Sequence, residues 1–168
     1  GNAGVNVLNG GGGRDTTIGG GGNDLQFVDN AGDRVIEGTG GGTKDRVLAS
    51  VSSVLEAATQ IEFIATTNPG GTATINLTGN GFAQTLTGNA GVNVLNGGAG
   101  RDVTIGGRGN DLHFVDNAGD RVIEGAGDDI FIIDLSSADG HVFQTAGEGS
   151  DLILTDINYR LTDDVHVE

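Results

Sequence analysis

Apolar residues fall along this chain in pairs and triplets set apart by short runs of Gly, Asn and Asp, and the spacing is regular. From Gly79 the chain reads GNGFAQTLT, GNAGVNVLN, GGAGRDVTI and GGRGNDLHF, and from Gly1 it reads GNAGVNVLN, GGGGRDTTI and GGGGNDLQF. Glycine opens every nonamer, and the fourth residue is Gly in six of the seven. The sixth always carries a side-chain oxygen: Asn6, Asp15 and Asp24 in one run, and Gln84, Asn93, Asp102 and Asp111 in the other. The same phase continues through Asp33 in the first run and through Asp120 and Asp129 in the second. A longer repeat lies over this period. Residues 1–40 and 88–127 align without gaps and agree at 35 of 40 positions, differing at 12, 16, 21, 26 and 39. The first copy then inserts three residues near Gly41 to Lys44, which makes Asp45 the counterpart of Asp129.

Glycines at the first, second and fourth places permit positive φ and close backbone approach, so each nonamer begins with a tight turn. The carbonyls of Gly11, Gly13, Gly20, Gly22, Gly98, Gly100, Gly107 and Gly109 are expected to point inward from these turns. The last three residues, such as Leu25 to Phe27 or Val103 to Ile105, favour β-structure and make a short strand. Two nonamers give turn, strand, turn, strand, which is one coil of an all-β parallel β-roll, and residues 18 apart stack. The eighth place fits an inward apolar residue at Leu8, Leu86 and Leu95 but is polar at Thr17, Gln26, Thr104 and His113. Either those strands are turned over, with the seventh and ninth residues inward, or the outer face is covered by a partner or a neighbouring segment.

The organisation expected is one continuous solenoid in four stretches: a first roll over 1–46, aliphatic rungs over 47–78, a second roll over 79–134 and variant rungs over 135–168. Alternation in QIEFIATT and TATINLT suggests strands, and SSVLEAA suggests one helical turn behind a serine cap. The ending, where VHVE parallels the earlier TQIE, reads as an array cut inside a unit.

Composition narrows the chemistry. Thirty-three glycines, no Met, Trp or Cys and seven aromatics leave a thin aliphatic core without disulfides or thiolate ligands. A net charge of −15 argues against nucleic acid or an anionic membrane surface as partner, and no apolar run is long enough for a membrane span or a signal peptide. The acids fall into columns: Asp15 with Asp33, Asp102 with Asp120, Asp111 with Asp129, Asn6 with Asp24, and Asn93 with Asp111. Two carboxylates about 5 Å apart at an effective dielectric near 20 repel by roughly 3 kcal/mol, so the roll needs cations to close. Hard oxygen donors without His or Cys select calcium, in several ions. A flexible linker would not hold Asp in phase over six units, and the number of in-phase acids weighs against a dry solenoid with ordinary turn aspartates.

GGAGRDVTI and GGGGNDLQF resemble the RTX, or repeats-in-toxin, calcium-binding nonapeptide G-G-x-G-x-D-x-U-x. That resemblance implies a calcium-binding structural module of a secreted, extracellular bacterial protein exported by type I secretion machinery. The alternative it leaves is a non-catalytic β-roll of an extracellular lipase, protease or polysaccharide-modifying enzyme, or an adhesin spacer, which nothing within these residues favours. No GxSxG, HExxH or phosphate-loop motif occurs. His113 reads as a tolerated surface or packing residue, and His141 and His166 have no phased partner. The neighbours Asp128 and Asp129, and Asp163 and Asp164, face opposite ways on a strand and read as solvated charge. Asp139 lies outside both columns.

Overall fold

The computed structural model describes residues 1–134, the backbone of 141–143, and residues 149–155. Asp139, Asp163, Asp164 and His166 lie outside the described residues, as does much of 135–168. Sixteen strands occur among the described residues, all pairing in parallel, and no helix does.

The odd-numbered strands form one unbroken eight-stranded sheet. In order they are β1 (Val7–Leu8), β3 (Leu25–Val28), β5 (Arg46–Ala49), β7 (Phe63–Thr66), β9 (Thr85–Thr87), β11 (Val103–Ile105), β13 (Arg121–Ile123) and β15 (His141–Phe143). The even-numbered strands stack alongside in two sheets. One pairs β2 (Thr16–Ile18) with β4 (Arg34–Ile36); the other joins β6 (Ser53–Val54), β8 (Leu77–Thr78), β10 (Val94–Asn96), β12 (Leu112–Val115), β14 (Ile130–Ile133) and β16 (Leu152–Thr155). The chain winds from one side to the other and back through about 8 turns, which makes a parallel β-solenoid of the roll type.

The register follows the nonamers. Val94 pairs with Leu112, Leu112 with Ile130, Thr85 with Val103 and Val103 with Arg121, each 18 residues apart. In the first copy Leu25 pairs with Arg46, so the three inserted residues loop out of the coil and leave the ladder in phase.

The expected helical turn in SSVLEAA does not form. Ser53 and Val54 are captured as β6 against β8, Leu55 N–H donates to Thr78 O, and Leu55 is buried. Ser52 Oγ, instead of capping a helix, accepts the Asn76 N–H from the next coil. A ladder that satisfies backbone groups between coils outcompetes a local turn whose nucleation is costly.

The strands of the aspartate nonamers are not turned over. In β12, His113 and Val115 are buried while Leu112 and Phe114 are half-buried on the outer side, and β3 does the same with Gln26 and Val28 inside. The sixth and eighth residues therefore face inward throughout, whether apolar (Leu86 and Leu95) or polar (Gln26, Thr104 and His113). Two apolar clusters result, one from Val28 to Leu95 and one built on Val115, Val122, Phe131 and Ile133. Thr104 and His113, hydrogen-bonded through Oγ1 and Nδ1 at 2.7 Å, form a polar layer in the same interior.

Candidate metal centre

Each in-phase acid stands just before a strand, where the parallel ladder brings it beside its counterpart one coil away. Asn6 N–H donates to Asp24 Oδ1 (2.7 Å), Asp24 N–H to Asp45 Oδ1 (2.6 Å), and Gln84 N–H to Asp102 Oδ1 (2.7 Å). Asp102 N–H donates to Asp120 Oδ1 (2.9 Å), Asp15 N–H to Asp33 Oδ1 (3.0 Å), Asn93 N–H to Asp111 Oδ1 (2.8 Å), and Asp111 N–H to Asp129 Oδ1 (2.6 Å). The columns read from the sequence are thus brought together, with Asp45 in the place that Asp129 takes in the second copy. Two further acids extend them: Asp45 N–H donates to Glu62 Oε2, and Asp129 N–H to Asp151 Oδ1, both at 2.8 Å. Neither was legible as a member, because their coils are 17 and 22 residues long and break the count of 18.

The second carboxylate oxygen separates two kinds of acid. Oδ2 of Asp15, Asp24, Asp45, Asp102 and Asp111 is buried without a hydrogen-bond partner. Asp33 Oδ2 instead accepts the N–H groups of Asp29 and Asn30, and Asp120 Oδ2 those of Asp116 and Asn117. Both acids therefore close their own VDNAGD turns with every oxygen engaged, and the first five keep an oxygen free for a cation. A buried acceptor left unpaired costs on the order of 1–3 kcal/mol, more when charged. The strain appears in the acidities. Burial, against the opposing hydrogen bond from Gln84 N–H, pushes the Asp102 carboxyl up to about 7. Burial likewise raises Asp111 to about 6, and burial with a neighbouring Glu124 carboxyl raises Asp129 to about 8.

Sequence reasoning missed the two glutamates that complete the densest clusters. Glu37 and Glu124 stand at the opening position that glycine takes in the seven clear nonamers, and both are buried. Glu37, Asp24 and Asp45 each offer a carboxylate oxygen, and these three oxygens lie within 4.8 Å of one another. Burial, and then the charges of Asp45 and Asp24, raise Glu37 to about 7. Gln26 Nε2 donates to Glu37 Oε2 at 3.3 Å, so the amide faces the same cluster. In the second copy Asp111, Glu124 and Asp129 hold the matching places. His113, at Gln26's position, is fully buried rather than at the surface, with Nε2 3.0 Å from Glu124 Oε1. The one clue in the sequence was an acid in a glycine slot, which looks like a lapse of the repeat.

The turns are as tight as the glycines required. All eight glycines expected to shape them have φ between +80° and +136°. A Cβ at Gly107 would stand 2.5 Å from Asn89 O, and one at Gly109 2.6 Å from Gly91 O, so successive turns stack backbone against backbone. One of these carbonyls, Gly107 O, accepts the Ala126 N–H from the next coil. Asp128 and Asp129 face opposite ways as expected, but only Asp128 is solvated; Asp129 is buried in the column and is not the solvated charge that the pair was read as.

The donor set fits a hard divalent cation: repeated pairs and one triad of carboxylates, unpaired oxygens and no thiolate. The family model that matches is the RTX calcium-binding nonapeptide repeat, in four copies over residues 1–25 and 78–112. No curated protein and no solved structure matches this chain.

Proposed function

We propose, from the match of residues 1–25 and 78–112 to the RTX calcium-binding nonapeptide repeat, that this chain is a structural module of that repeat type whose folding is driven by calcium outside the cell, within a bacterial protein exported by type I machinery. The observation that carries the reading is the set of buried, unpartnered Oδ2 atoms at Asp15, Asp24, Asp45, Asp102 and Asp111. In the metal-free roll they repel and lack hydrogen bonds; a calcium ion at each turn neutralises them and supplies the missing partner. Asp24, Asp45 and Glu37, Asp102, and Asp111 with Asp129 are the proposed carboxylate ligands, with turn carbonyls completing the shells. Asn6, Asn93 and Asp15 lie at the ends of the same columns. Asp33 and Asp120, with both oxygens engaged, serve the turns more than the ions.

Binding and folding are one equilibrium when the site exists only in the folded chain. For a site of about 10⁻⁴ M, calcium at 10 to 100 times that value adds roughly 1.4 to 2.7 kcal/mol per site, so several sites decide the fold. Calcium far below the constant adds almost nothing, which leaves a chain loose enough to thread a secretion channel. Far-UV circular dichroism with chelator and with millimolar calcium tests this: β-structure should appear on calcium addition. Magnesium at equal concentration, smaller and reluctant to shed water, should restore far less, and monovalent salt at equal ionic strength less still. A chelated chain already rich in β-structure at neutral pH would sink the proposal, and full recovery in salt would reduce it to charge screening.

A further inference from the structure

Within the 40 aligned residues the two copies differ at one buried side chain that faces a carboxylate cluster: Gln26 in the first, His113 in the second. That difference changes the donor chemistry from all oxygen to mixed nitrogen and oxygen. His113 is fully buried; Thr104 Oγ1 holds Nδ1 at 2.7 Å, and the ring stacks on Phe131 with centroids 5.8 Å apart. These contacts fix the imidazole so that Nε2 faces the acids. Glu124 Oε1 stands 3.0 Å away but out of line for a hydrogen bond; Nε2 and Asp111 Oδ2 are buried without partners, and the Glu124 carboxylate faces the Asp129 carboxyl closely enough to share a proton with it. An idealised Cβ on Gly106 would lie 3.0 Å from Nε2 and 2.5 Å from Asp111 Oδ2, which places both atoms around one point. A buried nitrogen lone pair beside carboxylate oxygens that lack donors is what a metal ion satisfies, and binding would draw these groups together, since among the described residues only Asp24, Glu37 and Asp45 already offer three ligand oxygens within 4.8 Å of one another.

We propose that His113, Glu124, Asp111 and Asp129 form a site for a borderline divalent transition metal, with zinc as its probe, where the first copy keeps an all-oxygen calcium set. Imidazole nitrogen suits zinc far better than calcium, which takes oxygen ligands. The Thr104 contact is the kind of outer hydrogen bond that orients a metal-ligating imidazole and sets its tautomer. Asp111 and Asp129 belong to both this site and the calcium column, and Asp111 has one free oxygen, so zinc here would take the place of the calcium ion at this one turn; the proposal rests on the calcium reading only for the fold that assembles them.

The test is zinc binding by the whole chain saturated with calcium, followed by calorimetry, with cobalt as a spectroscopic substitute whose visible bands report imidazole ligation. Circular dichroism on the same samples follows calcium-driven folding, so each reading can fail while the other holds. One tight zinc per chain is expected. His113→Gln, which installs the residue the first copy already accommodates, should weaken that binding by more than about 100-fold, beyond the 10 to 100-fold typical of losing an outer partner. Its calcium transition should survive. Gln26→His should add a second zinc and a second set of cobalt bands. No zinc uptake by the parent chain would overturn the proposal, with the His113 and Glu124 contact then amounting to a shared proton. Uptake unchanged in His113→Gln would overturn it equally, placing the ion at His141 or His166.

Discussion

A carboxylate with one oxygen bonded to backbone and the other buried without a partner answers differently to mutation with and without its cation, and Asp111 gives the cleanest case. Asp111→Asn keeps an acceptor for the Asn93 N–H and removes the charge that burial opposes. In chelator at pH 8 the variant should be more stable than the parent by on the order of 1–2 kcal/mol, while its calcium midpoint rises several-fold. Asp120→Asn should show neither effect. Its Oδ2 closes the turn onto Asp116 and Asn117, so the change should cost about 1 kcal/mol in chelator and calcium alike, with the midpoint nearly fixed. Urea melts monitored by circular dichroism in both buffers separate the two, and equal behaviour would show that the free Oδ2 is not a ligand. At this scale the in-phase aspartates were legible because strand periodicity and coil length act on them together. Which of them keep a free oxygen was not, since Asp33 and Asp111 occupy the same place in the nonamer. What differs is the residue four positions earlier, Asp29 against Gly107, and the turn backbone that goes with it.

Strands of two to four residues gain little from their own propensity, so the elements persist through the contacts between coils. The turn glycines set how closely coils approach. Gly109→Ala would need φ near +104° and a Cβ 2.6 Å from Gly91 O, and should cost roughly 1–3 kcal/mol, raising the calcium midpoint of the whole transition. Gly12→Ala is the control: its φ is ordinary, nothing lies within 4 Å of the added Cβ, and the second copy already carries Ala99 there. Its midpoint should stay put, and a shift as large as that of Gly109→Ala would show that turn stacking is not what the glycines supply. The nonamer strands could be read from sequence because Gly punctuates them. The rungs between the copies could not be placed as well, since Ser53–Val54 and Leu77–Thr78 are 24 residues apart in register and carry no glycine at fixed offset. There the ladder alone decides, and it overrode the local helical preference of SSVLEAA. The polar eighth residues left two strand orientations open because a period of two shows which residues share a face but not which face is inside.

Across the whole molecule these local conflicts add up to a coupling between protons, calcium and folding. Asp111, Asp102, Glu37 and Asp129 are raised to about 6, 7, 7 and 8, burial being the first cause in each. A folded-state value above the unfolded one, near 4 for a free carboxyl, means that the metal-free roll retains protons that the unfolded chain has released. Its stability is therefore greatest on the acid side and falls as pH climbs from about 4 through these values. His113 works the other way: burial lowers it to about 4, so below about 6.5 the unfolded chain takes up a proton that the folded one refuses. Between pH 6.5 and 8 the carboxyls act almost unopposed, and the net charge of −15 adds repulsion of the same sign. In chelator, β-structure should accordingly be greater at about pH 6 than at pH 8, by a stability difference of a few kcal/mol. Calcium reverses the order, since it must displace those protons to bind: its midpoint should fall several-fold between the same two values as the sites arrive already ionised. Circular dichroism across a grid of pH and free calcium measures both effects. A metal-free signal independent of pH, together with a fixed midpoint, would mean that the buried acids are hydrated in solution and that calcium acts on the chain by some route other than filling them.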